Sequence, residues 1–543
     1  MEHDEALSSA RLFASLAKSG KLPKHSKGDD SGQTENSQAD PSDPSKDKYG
    51  DLPMIQSRFQ TSRVWTKVQA LNSSLLNQEV LLRARAHSTR IKGKGGFLIL
   101  RESCFSAQCT IFAGEKASIH MVKYVDGITM ESVVEVLGVC KAPKVPIETC
   151  SQSDVEVEIL EVHVISRAQP GLPLQILDAA HPVTLEEELA EQTAQDEDEP
   201  APSSAPSEER KRSKVHQRTR LDNRVLDLRT PANQAVLRID SGVCRFFREY
   251  LHSQGFVEIH TPKLLGGTSE GGANVFRLKY FNREACLAQS PQLFKQMALM
   301  ADLDRVFEIG PVFRAEDSNT YRHLCEFTGL DFEMTIKEHY NELMSLINNM
   351  FIHIFKGIER EYAPELAAVH EQFPFISPFQ YSEEPLWLTF PEAVKMLNDV
   401  GVNQKVNEDL NTENEKRLGG LVKEKYHTDF YIVHRYPSTV RPFYTMPCAD
   451  DPDFTCSYDV FMRGEEIISG AQRLHDAAML EARIRKKGVD VRTVQDYVNS
   501  FKYGAFPHGG CGVGLERVVM LYLGLKNIRR VSMFPRDPKR LTP

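Results

Sequence analysis

Two alternating runs, RVFEIGPVF at 305–313 and LCEFTGLDFEM at 324–334, flank the charged stretch FRAEDSNTYRHLCEF at 313–327. Alternation on both sides of a short polar connection predicts an antiparallel hairpin. Faces follow from the period of two: Leu330, Phe332 and Met334 share one side of the second strand, while Phe327, Asp331 and Glu333 share the other. A sheet with one apolar and one carboxylate-bearing face lines either open water or a polar cleft. The connection sets Arg314 and Arg322 among Glu316, Asp317, Glu326 and His323. Such a run is either a solvated charged loop or a grip for something anionic.

The 543 residues, 41% of them hydrophobic, suffice for two or three domains. No apolar run is long enough to span a bilayer, and the acidic opening MEHDEALSS has neither a signal peptide's pattern nor a mitochondrial presequence's. The expectation is a cytoplasmic protein with no membrane association. Its ten cysteines show no CxxC pair and no zinc spacing, so they are expected to be reduced thiols. A net charge of -9 excludes a uniformly basic surface, so a nucleic-acid partner must be met by a local basic face.

Composition divides the chain. Residues 1–60 are rich in Ser, Asp, Lys and Pro and are expected to be a disordered extension. Arg11, Lys18, Lys21, Lys24 and Lys27 form there a weakly basic arm or a soluble tail. Residues 61–180 hold five β-branched, alternating segments with a short helical segment, EKASIHMVKYV, between the third and fourth, which is the order of an OB-fold barrel. A first loop from Arg83 to Lys94 carries Arg83, Arg85, Arg90, Lys92 and Lys94, and Phe97 opens the next strand. Basic groups beside an aromatic suit a single strand, which needs charge for phosphates and a flat partner for bases; the alternative is Phe97 in the core. Residues 181–214, acidic and then Pro/Ser-rich, read as an exposed linker. Residues 215–543 mix long helical segments with alternating strands, an α+β domain.

Two further segments of that domain carry chemistry. In SYDVFMRGEEIISGAQR, an Arg463-Gly464 turn pairs Phe461 with Glu466 and sets Asp459 on the face of Glu466, where paired carboxylates suit Mg²⁺. Glu465 then points away. The same alternation puts Arg473 on the wrong face unless a bulge falls near Ser469-Gly470. In HGGCGVGLERVVMLYLGL, glycines 509, 510, 512 and 514 precede a helix beginning near Leu515, with Arg517 in its first turn. Neither the P-loop pattern nor the GxGxxG dinucleotide pattern is present.

In this order, the three pieces resemble the class II aminoacyl-tRNA synthetases: FRAEDSNTYRHLCEF is similar to motif 2, GVGLERVVM to motif 3, and GFVEIHTPKLLGGTSEGGANVF to motif 1 and its sequel. With an OB-fold in front, the resemblance is to the subclass of aspartyl, asparaginyl and lysyl enzymes. AQSPQLFKQ, ISGAQRLHD and FPRDPKRLTP are most similar to aspartyl members of archaeal and eukaryotic cytoplasmic type. The resemblance implies a catalytic domain built on an antiparallel sheet flanked by helices, using ATP and Mg²⁺ to join L-aspartate to tRNA(Asp). An asparaginyl or lysyl enzyme, or a catalytically silent tRNA-binding relative, is the alternative. It implies Arg314 on the α-phosphate and substrate carboxylate, Glu316 placing the adenine and Arg517 stacking on it. Arg322, His323, Leu324, Glu466, Gly514, Leu515 and Glu516 complete the ATP site, and Asp459, Glu466 and Ser469 the Mg²⁺ site. Lys295 and Arg473 would pair the aspartate side chain, with Glu270, Gln292, Arg314 and Ser469 around the substrate. Their buried charge would penalise neutral asparagine. Arg90, Phe97 and Gln108 would read the anticodon, and Pro262 would lie in a homodimer interface.

Overall fold

Alternation in the N-terminal region produces a closed ring of strands. Along β2 (Glu79–Lys92), Val80, Leu82, Ala84 and Ala86 are buried while the residues between them face outward. With β3 (Gly95–Glu102), β4 (Phe105–Phe112), β5 (Val133–Lys141) and β6 (Gln152–Ser166), β2 closes in the order β2–β3–β4–β6–β5, and β5 returns to β2. The helix Ile119–Asp126, capped by Ser118 through the Met121 N–H, sends Met121, Val122 and Val125 into the core of the ring. The computed structural model describes residues 42–58, 60–196, 215–266 and 274–543. Arg11, Lys18, Lys21, Lys24 and Lys27, the Pro/Ser stretch and Glu270 lie outside them.

The structure corrects the sequence reading in two places here. Part of the 1–60 extension is ordered: β1 (Tyr49–Asp51) pairs in parallel with Val162–Val164, because Tyr49 is buried and donates its hydroxyl to Asp43 (2.9 Å). Nor is Arg83–Lys94 a loop. Its residues continue β2 to Lys92 and turn at Gly93, whose φ of 61° suits glycine. Arg83 pairs with Glu135 (2.7 Å) and Arg85 donates to the Glu131 carbonyl (3.0 Å), so both are engaged within the sheet.

The chain forms two compact units that meet in sequence at Gln175 and Ile176. In the second, β7 (Val257–Glu258), β11 (Arg305–Phe313), β12 (Glu326–Thr335), β13 (Trp387–Thr389), β14 (Phe430–His434), β15 (Ser457–Met462), β16 (Glu465–Gln472) and β17 (His508–Gly514) make one sheet. Its order is β13–β14–β15–β16–β17–β12–β11–β7, antiparallel except at the two edges. A smaller sheet joins β8 (Leu264–Leu265), β10 (Arg283–Leu287) and β9 (Arg277–Tyr280). Helices Pro231–Ser253 and Asn341–Glu361 cover one face of the large sheet, burying Phe246, Phe247, Phe351 and Phe355 in one cluster with Leu330, Phe332, Met334 and Val513. That apolar face was expected from alternation.

The expected linker is also corrected. Leu185–Asp196 is a helix whose Glu188 and Glu191 are buried against Arg530 (2.6 and 3.4 Å). A charge run reads as solvated only until a distant buried arginine supplies its partner. No helix among the described residues is long and apolar enough to cross a membrane.

Candidate active site

The uncovered face of the large sheet lines a cleft of about 310 Å³, and strand register decides which side chains reach it. The hairpin β11–β12 pairs Phe313 with Glu326, so Arg314 to Cys325 form the connection, as the alternation predicted. Arg463 (φ 49°) and Gly464 (φ 74°) turn β15 into β16, pairing Phe461 with Glu466 as expected. The next pair is Val460 with Ile468, leaving Ile467 as the extra residue of a bulge. The bulge the sequence required is therefore present, but nearer the turn than Ser469-Gly470. It reverses parity, so Ser469, Ala471 and Arg473 join Glu466 on the cleft wall.

In register behind them, Ser469 faces Gly512 and Ala471 faces Gly510, which in turn face Asp331 and Glu333. The glycines that precede the helix lie in the central strand β17. A Cβ on Gly510 would come within 2.5 Å of Glu333 Oε2, and one on Gly512 within 2.9 Å of Asp331 Oδ1. Glycine here makes room for the Phe332 carbonyl, 2.1 Å from a Cβ on Gly510, as well as for both carboxylates.

One end of the cleft is a balanced cluster. Lys295, 1% exposed, donates to Asp331 Oδ1 (3.0 Å) and the Cys511 carbonyl (2.7 Å) and lies 3.4 Å from Glu333. Arg473 donates to Glu333 Oε1 (2.9 Å), Gln292 Oε1 (3.1 Å) and the Gly510 carbonyl (3.0 Å). Burial pushes the Glu333 carboxyl up, but Arg473 and Lys295 outweigh it and hold it below its ordinary range. Asp331 and Glu333 already compensate both cations, as a buried charge requires. Gln292 Nε2 is buried there with no hydrogen-bond partner among the described residues. Lys295 sits beneath the cleft wall; Gln292 and Arg473 are part of it.

The other end is not balanced. Arg441, which sequence reasoning missed, donates to Asp459 Oδ2 (2.6 Å) and Ser469 Oγ (2.7 Å). Nothing in STVRPFYTMP marks this arginine, because the stretch has no strand or helix period. Asp459 Oδ1 is buried with no hydrogen-bond partner among the described residues. Glu466 is pushed up to about 8, first by burial and then by Asp459. Arg517, in the first turn of the helix Leu515–Tyr522, donates to the Glu466 carbonyl (3.0 Å), and burial lowers its affinity for the proton.

Of the other expected nucleotide contacts, Arg314, Glu316, Arg322, His323, Leu324, Gly514 and Glu516 line the cleft. Leu515 does not; its side chain is in the apolar core. Arg314 lies over the Phe327 ring (5.3 Å to the centroid). Burial, then Arg517 and Arg322, lower the affinity of the His323 imidazole for its proton. No group of three or more His, Cys, Asp or Glu residues able to share a metal occurs among the described residues.

An antiparallel sheet whose glycine strand backs a cleft ringed by arginines, with motif 2 and motif 3 side chains on one face, defines a class II synthetase. Residues 216–538 match the family of class II tRNA synthetases (D, K and N), and the chain belongs to it. Identity concentrates in the aspartate branch. The chain is 50% identical over 501 residues to the cytoplasmic aspartate–tRNA ligase of Homo sapiens, covering 92% of this chain and 96% of that one. The aspartyl-tRNA synthetase of Entamoeba histolytica superposes with a TM-score of 0.82 at 43% identity, covering 91% of this chain and 96% of its own. The asparaginyl-tRNA synthetase of Pyrococcus horikoshii complexed with asparaginyl-adenylate follows at 0.72 and 27% identity, with 89% and 100% covered.

Proposed function

We propose that the protein is a cytoplasmic ligase that activates L-aspartate with ATP and transfers the aspartyl group to the 3′ end of tRNA(Asp). The observation that carries this reading is the bulge at Ile467, which turns Arg473 and Ser469 onto the face of Glu466, Arg314 and Arg517. Both reactants are anions, so the chain's task is to position them and neutralise charge. Arg314 grips the α-phosphate and the substrate carboxylate with its planar fork, Arg517 lies on the adenine, and Glu316 orients it. Arg322 meets the terminal phosphates with His323 beside it, while Leu324, Gly514 and Glu516 shape the nucleotide pocket.

Arg473 and Gln292 take the aspartate side chain, Lys295 acts on it from beneath the cleft wall, and Glu270 and Ser469 lie around the substrate. The unpartnered Gln292 Nε2 donor fits a carboxylate oxygen. An asparagine amide gains less from Arg473, and a lysine would meet a like charge. Mg²⁺ fits the opposite end, where the unpartnered Asp459 Oδ1 and the raised Glu466 both favour a cation. Asp459, Glu466 and Ser469 would hold it, and ATP oxygens would complete its shell, since Mg²⁺ takes few protein ligands. When bound it neutralises phosphate charge. Exchange of pyrophosphate into ATP should depend on aspartate; dependence on asparagine or lysine instead would overturn the reading.

We read the five-strand ring within 61–180 as an OB-fold that binds the anticodon, and 215–543 as the catalytic domain. Phe97 lies outside the barrel core, edge-on to the exposed Phe112 (6.4 Å), and pairs across strands with Arg90. Gln108 shares this outward face and donates to Glu156 (2.9 Å). Phe97→Ala should weaken tRNA binding by roughly 1–3 kcal/mol if a base stacks there. Exposed Pro262 with Val257 and Leu264, 47% and 52% exposed, fits a homodimer surface.

A further inference from the structure

The loop bearing Arg322 is held by a helix that no step above uses. The helix Thr412–Tyr426, capped by Asn411, packs directly on the β15–β16 turn: a Cβ on Gly419 would come within 2.4 Å of Gly464 Cα. Residues 412, 415 and 416 share one side of it, by the three- and four-residue spacing of helix neighbours. All three touch the loop. Arg322 donates to Glu415 Oε2 (3.4 Å) and Thr412 Oγ1. Lys416 Nζ lies 4.7 Å from the centre of the Tyr321 ring and 3.6 Å from Glu465, to which Tyr321 donates its hydroxyl (3.0 Å).

The pattern differs from an incidental surface pair. Glu415 is 8% exposed, and the Arg322 side chain is 19% exposed in the cleft wall. Exposed pairs of long side chains contribute little, because holding both costs rotamer freedom. Here Tyr321 and Arg322 are both tied to one rigid helix.

We propose that Glu415, supported by Thr412, is the positioning residue that fixes Arg322 for the terminal phosphates of ATP, with Lys416 anchoring the adjoining Tyr321. This deepens the reading of Arg322 given above and rests on it. An arginine fixed before ATP arrives spares the nucleotide the cost of ordering a long side chain. Glu415 takes one edge of the guanidinium through a single 3.4 Å contact, so the arginine can still meet an oxyanion.

The test is a double-mutant cycle on full-length protein, read as KM for ATP and kcat in aspartate-dependent pyrophosphate exchange. Glu415→Gln should raise the KM for ATP roughly tenfold, with kcat and the KM for aspartate little changed. In an Arg322→Ala background the same substitution should add almost nothing, because its effect passes through Arg322. Glu415→Asp should recover part of the loss. An Arg322→Ala protein with unchanged KM for ATP would show that the phosphate role of Arg322 is wrong. A raised KM for Arg322→Ala with Glu415→Gln silent, or fully additive, would overturn the role of Glu415 alone. Should Glu415→Gln fold poorly, Thr412→Ala replaces it, since Asn411 and not Thr412 caps the helix; it should raise the KM for ATP several-fold and be silent beside Arg322→Ala.

Discussion

The two ends of the cleft handle buried charge in opposite ways. Around Lys295 and Arg473, cations and carboxylates are matched one for one, and the unmet group is a donor on Gln292. Around Arg441, Asp459 and Glu466, the carboxylates crowd each other and the unmet group is an acceptor on Asp459. The first end is balanced in charge before its ligand arrives, and the second is left for a ligand to balance. Loss of a carboxylate should therefore cost stability at the first end and little at the second.

The largest effect should come from breaking the balanced end. Glu333→Gln leaves Arg473 and Lys295 short of a buried counter-charge and should cost about 3–5 kcal/mol in urea unfolding. The matching change at the open end, Glu466→Gln, should cost almost nothing in metal-free buffer; equal losses at both ends would break the distinction. Next in size, Arg314→Ala should slow adenylate formation roughly 10²–10³-fold, or about 2.7–4 kcal/mol, with tRNA binding unchanged. A normal pyrophosphate exchange rate would remove Arg314 from the reacting centre.

The smallest effect is on pH dependence. Because the Glu466 carboxyl in the fold rises to about 8 from an ordinary 4.5, its contribution to stability is full below 4.5 and is lost as pH rises through 8. Metal-free protein should lose about 1–2 kcal/mol over that window, since the group is only partly shielded from solvent, which screens the rest. Glu466→Gln should flatten the slope, and saturating Mg²⁺ with ATP should reduce it. A slope unchanged by the substitution would assign the pH dependence elsewhere.

Much of the cleft was legible because period two is a local signal. Leu330, Phe332 and Met334 went to the core and Asp331 to the cleft lining, with Glu333 on the same face but fully buried beneath it, as alternation required. The need for a bulge ahead of Arg473 was also legible, but its position was not: Ile467 looks like any core residue until its pairing is known. Long-range partners left no local trace. Arg530 holds Glu188 from the far end of the chain, so an acidic run read as linker became a docked helix. Arg441 lies in an aperiodic stretch, and the compensation of Lys295 by Asp331 depends on a pairing across strands. Glycines 510 and 512 were visible, yet their task, clearing space for two carboxylates in a central strand, needed the register.

The single extra residue at Ile467 also sets a rule for how this gene can change. Between Glu466 and Arg473, substitutions alter one side chain at a time, but adding or removing one residue exchanges every side chain on the strand between core and cleft. In that span length is held as strictly as the residues of the cleft wall, while the core-facing positions need only stay apolar.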